Sequence, residues 1–568
     1  MRSEADYLSN LRRLQSINWP TSMPRQPHYP LGERPLTEYL RLWAEQQPNK
    51  IAIIAYGYQL TYADLDNLSN RFANLLISNG AMLGDRVAVL MQTCPQFHVA
   101  FWGILKSGCI HVPISPSVKE MDLRYQLVDC GAKFILAEDR LLSLVANVQS
   151  KSDLRTIFYT SLADILPKAP AIPIPDSISQ DRITSTAAID LFPALHEVSD
   201  ELPRTIIGLN DVAALNYTGG TTGMPKGCVH TQGDMIYTAA NACAASFLGN
   251  NSTSLNYYPI FWMAGELNGL LYPILSGCTL VELIRWDAVG WLTAIQKYQV
   301  TNATLIVDSL VEVMEHPKIR DFDLHSLRNV RVASFVKKLT PELRRRWREL
   351  SGTTLMESGW GMTETHATDT FVLGTQEGDR DLGSKGVFVG RPMPGTVIKI
   401  CDFESGVPVD LGREGEIVVR TPSLMKAYWN NPDATSSLIA GGWFHTGDIG
   451  MYDADGFLHF LGRKKEMLKV SGISVFPAEI EGILGQHPAI IAVGVIGIAD
   501  ERRGQMPVAF VKLDPNSIPP ISAQELEAWC RENMASYKVP QIRILPDLPM
   551  TATGKVRKAD LAKLSEYP

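Results

Sequence analysis

YTGGTTGMPKG, residues 217–227, places four glycines, three threonines and one lysine within eleven positions. The apolar run VAALNY (212–217) leads into it and reads as a strand, while TQGDMIYTAANACAASF (231–247) reads as the helix beyond. The loop therefore sits at the carboxyl end of a strand, where α/β sheets bind their ligands. Glycine lets backbone amides come close to anionic oxygens, and threonine hydroxyls and a lysine ammonium add donors and charge. A plain turn needs the glycines but neither the hydroxyls nor the lysine. The content points to a polyphosphate. It is not the Walker arrangement, in which Ser or Thr follows the lysine: here proline precedes Lys226 and glycine follows it. A cradle built on a helix N-terminus is therefore not expected.

Outward from the loop, residues 36–113 alternate helical patterns (EYLRLWAEQ, YADLDNLSNRFANLLISNG) with short apolar runs (KIAIIAYG, RVAVLM, CIHVPIS). That alternation predicts layered α/β structure. Between 169 and 211 the pattern dissolves into PAIPIPDSISQDRITSTA and a weak helix, which reads as a linker between subdomains. Beyond Arg463 a smaller unit follows, helix (FPAEIEGILGQ), two strands (AIIAVGVIG, PVAFVKL), helix (SAQELEAWCREN) and strand (QIRILP), about the size of an independent α+β domain.

The chain has 568 residues, too many for one ordinary core, so two or more domains are expected. Hydrophobic residues at 45% and charged ones at 20% argue against disorder and against a membrane span. A formal net charge of -7 offers no broad attraction to nucleic acid. The densest basic run, RRRWR (344–348), reads as the solvated face of a helix. Eight scattered cysteines without CxxC spacing fit a reducing compartment, and the charged amino terminus lacks the apolar run of a signal peptide. A cytoplasmic protein is expected, with peripheral membrane contact left open.

The loop resembles the phosphate-loop signature of the adenylate-forming superfamily: acyl- and aryl-CoA synthetases, beetle luciferases and nonribosomal peptide adenylation domains. Further segments match in order, and the resemblance spans residues 36–561. SGWGMTET (358–365) resembles the stretch that sets an aromatic beside adenine and a Thr-Glu pair near the α-phosphate and magnesium, which implies those roles for Trp360, with Gly361 and Met362, and for Thr363 and Glu364. One carboxylate beside phosphate oxygens suits Mg²⁺. The phosphate loop then comprises Thr218, Gly219, Gly220, Thr221, Thr222, Gly223 and Lys226, with Thr222 joining Glu364 at the metal. In GWFHTGDIG (442–450), Asp448 resembles the ribose-binding aspartate, and His445 reads as structural. GRKKEMLKVSGISVFPAEIE (462–481), preceded by Phe460 on the nucleotide side, implies a ribose or phosphate contact at Arg463, a hinge at Lys465 and a thiol tunnel lined by the Gly472 loop. Glu466 stands where the family shows Asp. PMTATGKVRKADL (549–561) implies Lys555 as the catalytic lysine, and two further matching stretches, 390–402 and 412–435, read as scaffold.

The resemblance implies an α/β fold with a large amino-terminal domain of several layered subdomains (36–463), preceded by an extension (1–35) and followed by a small, mobile α+β domain (464–568). Two places depart from the pattern. Trp262, in YYPIFWMAGELNG (257–269), stands at the junction of acyl and pantetheine tunnels, where it either gates the acyl pocket or packs in the core. Phe335, Val336 and Lys337 replace the usual Gly-Gly-Ala, which narrows that wall; Lys337 either pairs with a polar group of the substrate or faces solvent. The leading reading is an AMP-forming carboxylic acid:CoA ligase using ATP, Mg²⁺ and CoA on an aliphatic or aryl acid. Alternatives are an enzyme loading a separate carrier protein and a silent nucleotide-binding relative; a luciferase-type oxygenase shares the adenylation step.

Overall fold

The computed structural model describes residues 3–565 except 18, 168, 177, 219–223, 335–336, 383–385, 471–472, 501, 516–520 and 552–554. Two seven-stranded sheets form the bulk of the chain. The first runs in the order Ile189–Asp190, Thr156–Thr160, Phe134–Glu138, Arg86–Leu90, Ile110–Ile114, Val212–Tyr217, Gly227–Thr231. Every pairing in it is parallel except the last. The second runs Leu355–Glu357, Asn329–Ala333, Asn302–Ile306, Thr253–Asn256, Thr279–Glu282, Ile51–Ala55, Tyr58–Thr61, again parallel but for the hairpin at its end. Parallel strands need both faces covered, which explains the near-continuous apolar runs. The helix Pro95–Lys106, with all twelve residues buried, belongs to the core that both sheets share. It shows no amphipathic period because neither face meets water.

A third, antiparallel sheet joins strands between Thr370 and Arg463. After the short turn Lys464–Glu466 the chain enters a five-stranded sheet made only of later strands, Leu468–Val470 through Gln541–Ile544. Its helices and strands follow the elements expected from the sequence. The fold class is the layered α/β arrangement that the motifs implied, with a separate carboxyl-terminal region.

Residues 169–211 are not a free linker. Strands on both sides of them belong to the same sheet, Ile172 and Ile178 are buried in the main core, and Arg182 bridges Asp164 and Asp190. Irregular backbone here is held by side chains, which a search for periodicity does not register. RRRWR also differs from expectation. Arg345 does face solvent, between Glu342 and Glu349, but Arg344 is buried and fastens Asp381 with two hydrogen bonds of 2.8 and 2.6 Å, and Trp347 is fully buried beside it.

The amino-terminal helix Glu4–Ile17 lies on the antiparallel sheet. Lys399 donates to Glu4 at 2.7 Å, and Leu11 enters the buried cluster that contains Trp360 and Tyr428. Leu11→Ala should cost about 2–5 kcal/mol, read as a lowered melting temperature.

Candidate active site

The strands Val212–Tyr217 and Gly227–Thr231 form an antiparallel hairpin whose tip is the glycine-rich loop. A five-residue strand thus separates the loop from the helix Gln232–Ala245, whose N-terminus is occupied by a Thr231–Asp234 capping box. The loop does not sit on a helix end, as its departure from the Walker pattern implied. Gly219, Gly220, Thr221, Thr222 and Gly223 lie outside the described residues. The base of the loop is closed by Thr218 N donating to Lys226 O at 2.9 Å and Lys226 N donating to Thr218 Oγ1 at 3.2 Å. The Lys226 ammonium lies 4.9 Å from the centre of the Tyr428 ring, a cation–π distance.

Tyr428 connects that lysine to Glu364: its hydroxyl donates to Glu364 Oε1 at 2.8 Å. Glu364 sits in the short turn Thr363–Thr365, and the three successive carbonyls of that turn are each held from a different place. His230 Nε2 donates to Thr363 O, Met425 N to Glu364 O and Ser423 Oγ to Thr365 O, each at 2.8 Å. The glycine before the turn is obligatory: a Cβ on Gly361 would stand 1.9 Å from Ala367 O. Met362, half-buried, packs onto the same cluster as Trp360.

Asp448 belongs to the strand Trp443–Tyr452, directly opposite Arg463 on the neighbouring strand, and is 1% exposed. Trp360 Nε1 donates to its Oδ2 at 2.8 Å. Arg463 Nε lies 2.7 Å from Oδ1, off the hydrogen-bond line, so the two pair by charge. Burial pushes Asp448 up to about 6, against the opposing pull of Arg463 and Trp360. Trp360 is therefore a buried indole that orients the carboxylate, and Phe460 packs on the same cluster. His445, half-buried, is bound to Glu416 at 3.0 Å, the structural role expected of it.

Lys555 comes to this place from the carboxyl-terminal region. The turn that presents it is closed by Thr551 N donating to Lys555 O at 2.7 Å and Lys555 N donating to Thr551 Oγ1 at 3.0 Å. Its pKa is lowered by the surrounding protein, then by Arg463, and supported by Asp448 and Glu466. The residue itself remains open to water, so the lowering comes from the walls of a cleft rather than from enclosure. Three residues on, Lys558 is gripped by Glu466 at 2.7 Å and Glu481 at 2.9 Å, next to the Lys464–Glu466 turn that contains Lys465. The structure thus brings Lys226, Glu364, Trp360, Asp448, Arg463 and Lys555 into one region.

Of the remaining expected residues, Gly472, Phe335 and Val336 lie outside the described residues. Trp262 is half-buried, edge-on to Phe261 at 5.6 Å, at the start of a short helix that continues as the π-helical turn Glu266–Leu271. Lys337 meets Asp308 through its backbone amide at 3.4 Å. It is Lys338 whose ammonium folds back, onto Ser334 O at 2.9 Å and near the buried Glu357. Tyr428, His230 and Lys338 carried no signal in the sequence, because each acquires its role from a partner that is remote or out of motif.

Among the described residues no group of three or more His, Cys, Asp or Glu side chains is arranged to hold a metal. A single carboxylate beside a phosphate loop is nevertheless what Mg²⁺ uses when substrate phosphates supply further ligands, and Glu364 fits that role. No helix among the described residues is long and apolar enough to cross a membrane.

The model of the AMP-binding enzyme family matches residues 40–429, and that of the AMP-binding enzyme C-terminal domain matches 479–555. The chain belongs to the AMP-binding enzyme family. It is 31% identical over 557 residues to a long-chain-fatty-acid–CoA ligase of Bacillus subtilis, covering 96% of each chain. It is 32% identical to an indoleacetate–CoA ligase of Aromatoleum aromaticum, covering 93% of this chain and 98% of the other. Among solved structures, the anthranilate CoA ligase AuaEII in complex with anthranoyl-AMP superposes with a TM-score of 0.82 at 26% identity, over 94% of this chain and 98% of that one. The resemblance read from the motifs is borne out.

Proposed function

We propose that the chain is an AMP-forming carboxylic acid:CoA ligase that activates an aliphatic or aryl acid with ATP and passes the acyl group to the CoA thiol. The observation that carries this reading is the approach of Lys555, from the carboxyl-terminal region, to the Asp448–Arg463 pair on the antiparallel sheet.

A carboxylate is a poor acyl donor because oxide is a poor leaving group; adenylation replaces oxide with AMP. The substrate carboxylate attacks the α-phosphorus in line, the α–β phosphoanhydride bond breaks, and pyrophosphate leaves. Lys226 and the phosphate loop hold the β- and γ-phosphates, Asp448 accepts from the ribose hydroxyls, and Lys555 faces the charge that gathers as the carboxylate attacks. Mg²⁺, when held by Glu364 and Thr222, offsets phosphate charge. The CoA sulfur then attacks the acyl carbonyl and AMP leaves.

The same reading takes 36–463 as the adenylating domain, 464–568 as the small domain and 1–35 as an extension. The small domain turns about Lys465 between the two half-reactions, carrying Lys555 out and the Gly472 loop in. Trp262 and the 334–338 loop form part of the acid and pantetheine walls. AMP release over a panel of fatty and aryl acids, with and without CoA, tests it: acid-dependent AMP and acyl-CoA are expected, and no AMP with any acid would overturn it. Transfer only to a holo-carrier would assign the enzyme to carrier loading instead.

A further inference from the structure

Two fully buried side chains come together, Glu266 of the 257–269 stretch and His366, the residue after 358–365. His366 Nε2 and Glu266 Oε1 face each other at 3.3 Å. The other oxygen, Glu266 Oε2, accepts from Asn216 Nδ2 at 2.7 Å. The chain positions of these partners matter. Asn216 is followed by Tyr217 and Thr218, so it anchors the strand that delivers the phosphate loop. His366 follows the Thr363–Thr365 turn that carries Glu364.

His366 and Ala367 both adopt left-handed backbone, at φ 59° and 83°. Side chains with a Cβ hold that conformation only where the surroundings over-determine it. The His230 ring lies 4.7 Å edge-on to His366, and its Nε2 holds Thr363 O. A buried carboxylate is costly unless paired, and His366 with Asn216 offsets enough of the desolvation to hold the Glu266 pKa below its usual value. Glu266 also opens the π-helical turn just beyond Trp262, and its amide donates to Trp262 O at 2.7 Å. Such turns concentrate at functional sites.

The geometry points to Glu266 and His366 as positioning residues: their buried contact, with the Asn216–Glu266 hydrogen bond, ties the phosphate-loop strand to the turn that presents Glu364, so that both reach the triphosphate in register. This rests on the nucleotide roles given to those two segments under Proposed function.

The test measures Mg·ATP binding to the full chain by calorimetry, together with acid-dependent pyrophosphate exchange. Glu266→Gln keeps an acceptor for Asn216 but removes the carboxylate that faces His366. It is expected to weaken Mg·ATP binding and lower the exchange kcat by about 10–100-fold each, with the KM for the acid nearly unchanged. His366→Gln should do the same. The double variant E266Q/H366Q is expected to lose no more than the weaker of the two single variants, because both residues act through one contact.

Single variants that bind Mg·ATP within about twofold of wild type would overturn the assignment, as would a double variant whose losses multiply. Where Glu266→Gln does not fold, comparison of His366→Gln with the double variant decides in the same way. Calorimetry needs no turnover. A wild-type chain that binds Mg·ATP without acid-dependent exchange would therefore count against the ligase reading while leaving this one testable.

Discussion

Lys555→Ala is expected to slow acid-dependent pyrophosphate exchange by on the order of 10²–10³-fold, the cost of removing one preorganised donor from a developing charge. The ammonium feels the charges of Arg463 and Asp448, and the turn that carries Lys555 is closed by two hydrogen bonds. Truncations at exposed positions cost little stability, and Lys555 is exposed, so the melting temperature should move little. The second half-reaction separates the reading from a general loss of integrity. With acyl adenylate and CoA supplied, thiolysis should proceed near the wild-type rate, because the proposed rotation has already carried Lys555 away. Equal losses in both half-reactions would sink the domain-rotation scheme.

Asp448→Ala should raise the KM for ATP by about 10²–10⁴-fold, since two hydrogen bonds to a charged acceptor are lost at about 1.5–3 kcal/mol each. It should also lower the melting temperature, because the Trp360 indole N–H loses its buried acceptor and Arg463 loses its counter-charge. The wild type carries a pH signature. A carboxyl pushed up to about 6 is ionised at neutral pH and protonated below that value, where one acceptor becomes a donor. ATP affinity should therefore be flat above about pH 6 and fall as pH drops through it, and this inflection should vanish in Asp448→Asn. Stability runs the other way. The folded state holds this proton more tightly than the unfolded chain does, so between the ordinary carboxylate range and about 6 this group alone makes stability fall as pH rises.

The nucleotide segments were legible because each is a contiguous loop whose chemistry demands particular residues side by side. Gly361 has no room for a Cβ, and a polyphosphate loop needs glycine, hydroxyl and lysine together. The helix Pro95–Lys106 was harder to read, since burial on all sides erases the amphipathic period. Residues 169–211 were misread because loss of periodicity signals irregular backbone, not absence of packing. Of the two adjacent lysines in 334–338, the sequence reading singled out Lys337 and passed over Lys338, whose turn back onto Ser334 depends on the path of the loop between strand and helix.

By itself the sequence determined the family and the layered α/β class, because these reside in short patterns set by local backbone and charge. Only the tertiary structure decided how they are held. Trp360 reaches Asp448 across 88 positions, Glu266 joins Asn216 across 50, and Lys555 feels the charge of Asp448 from the carboxyl-terminal region. A buried polar group must be satisfied by whatever the fold brings beside it, and that neighbour is chosen by packing between elements far apart in the chain, which no local pattern encodes.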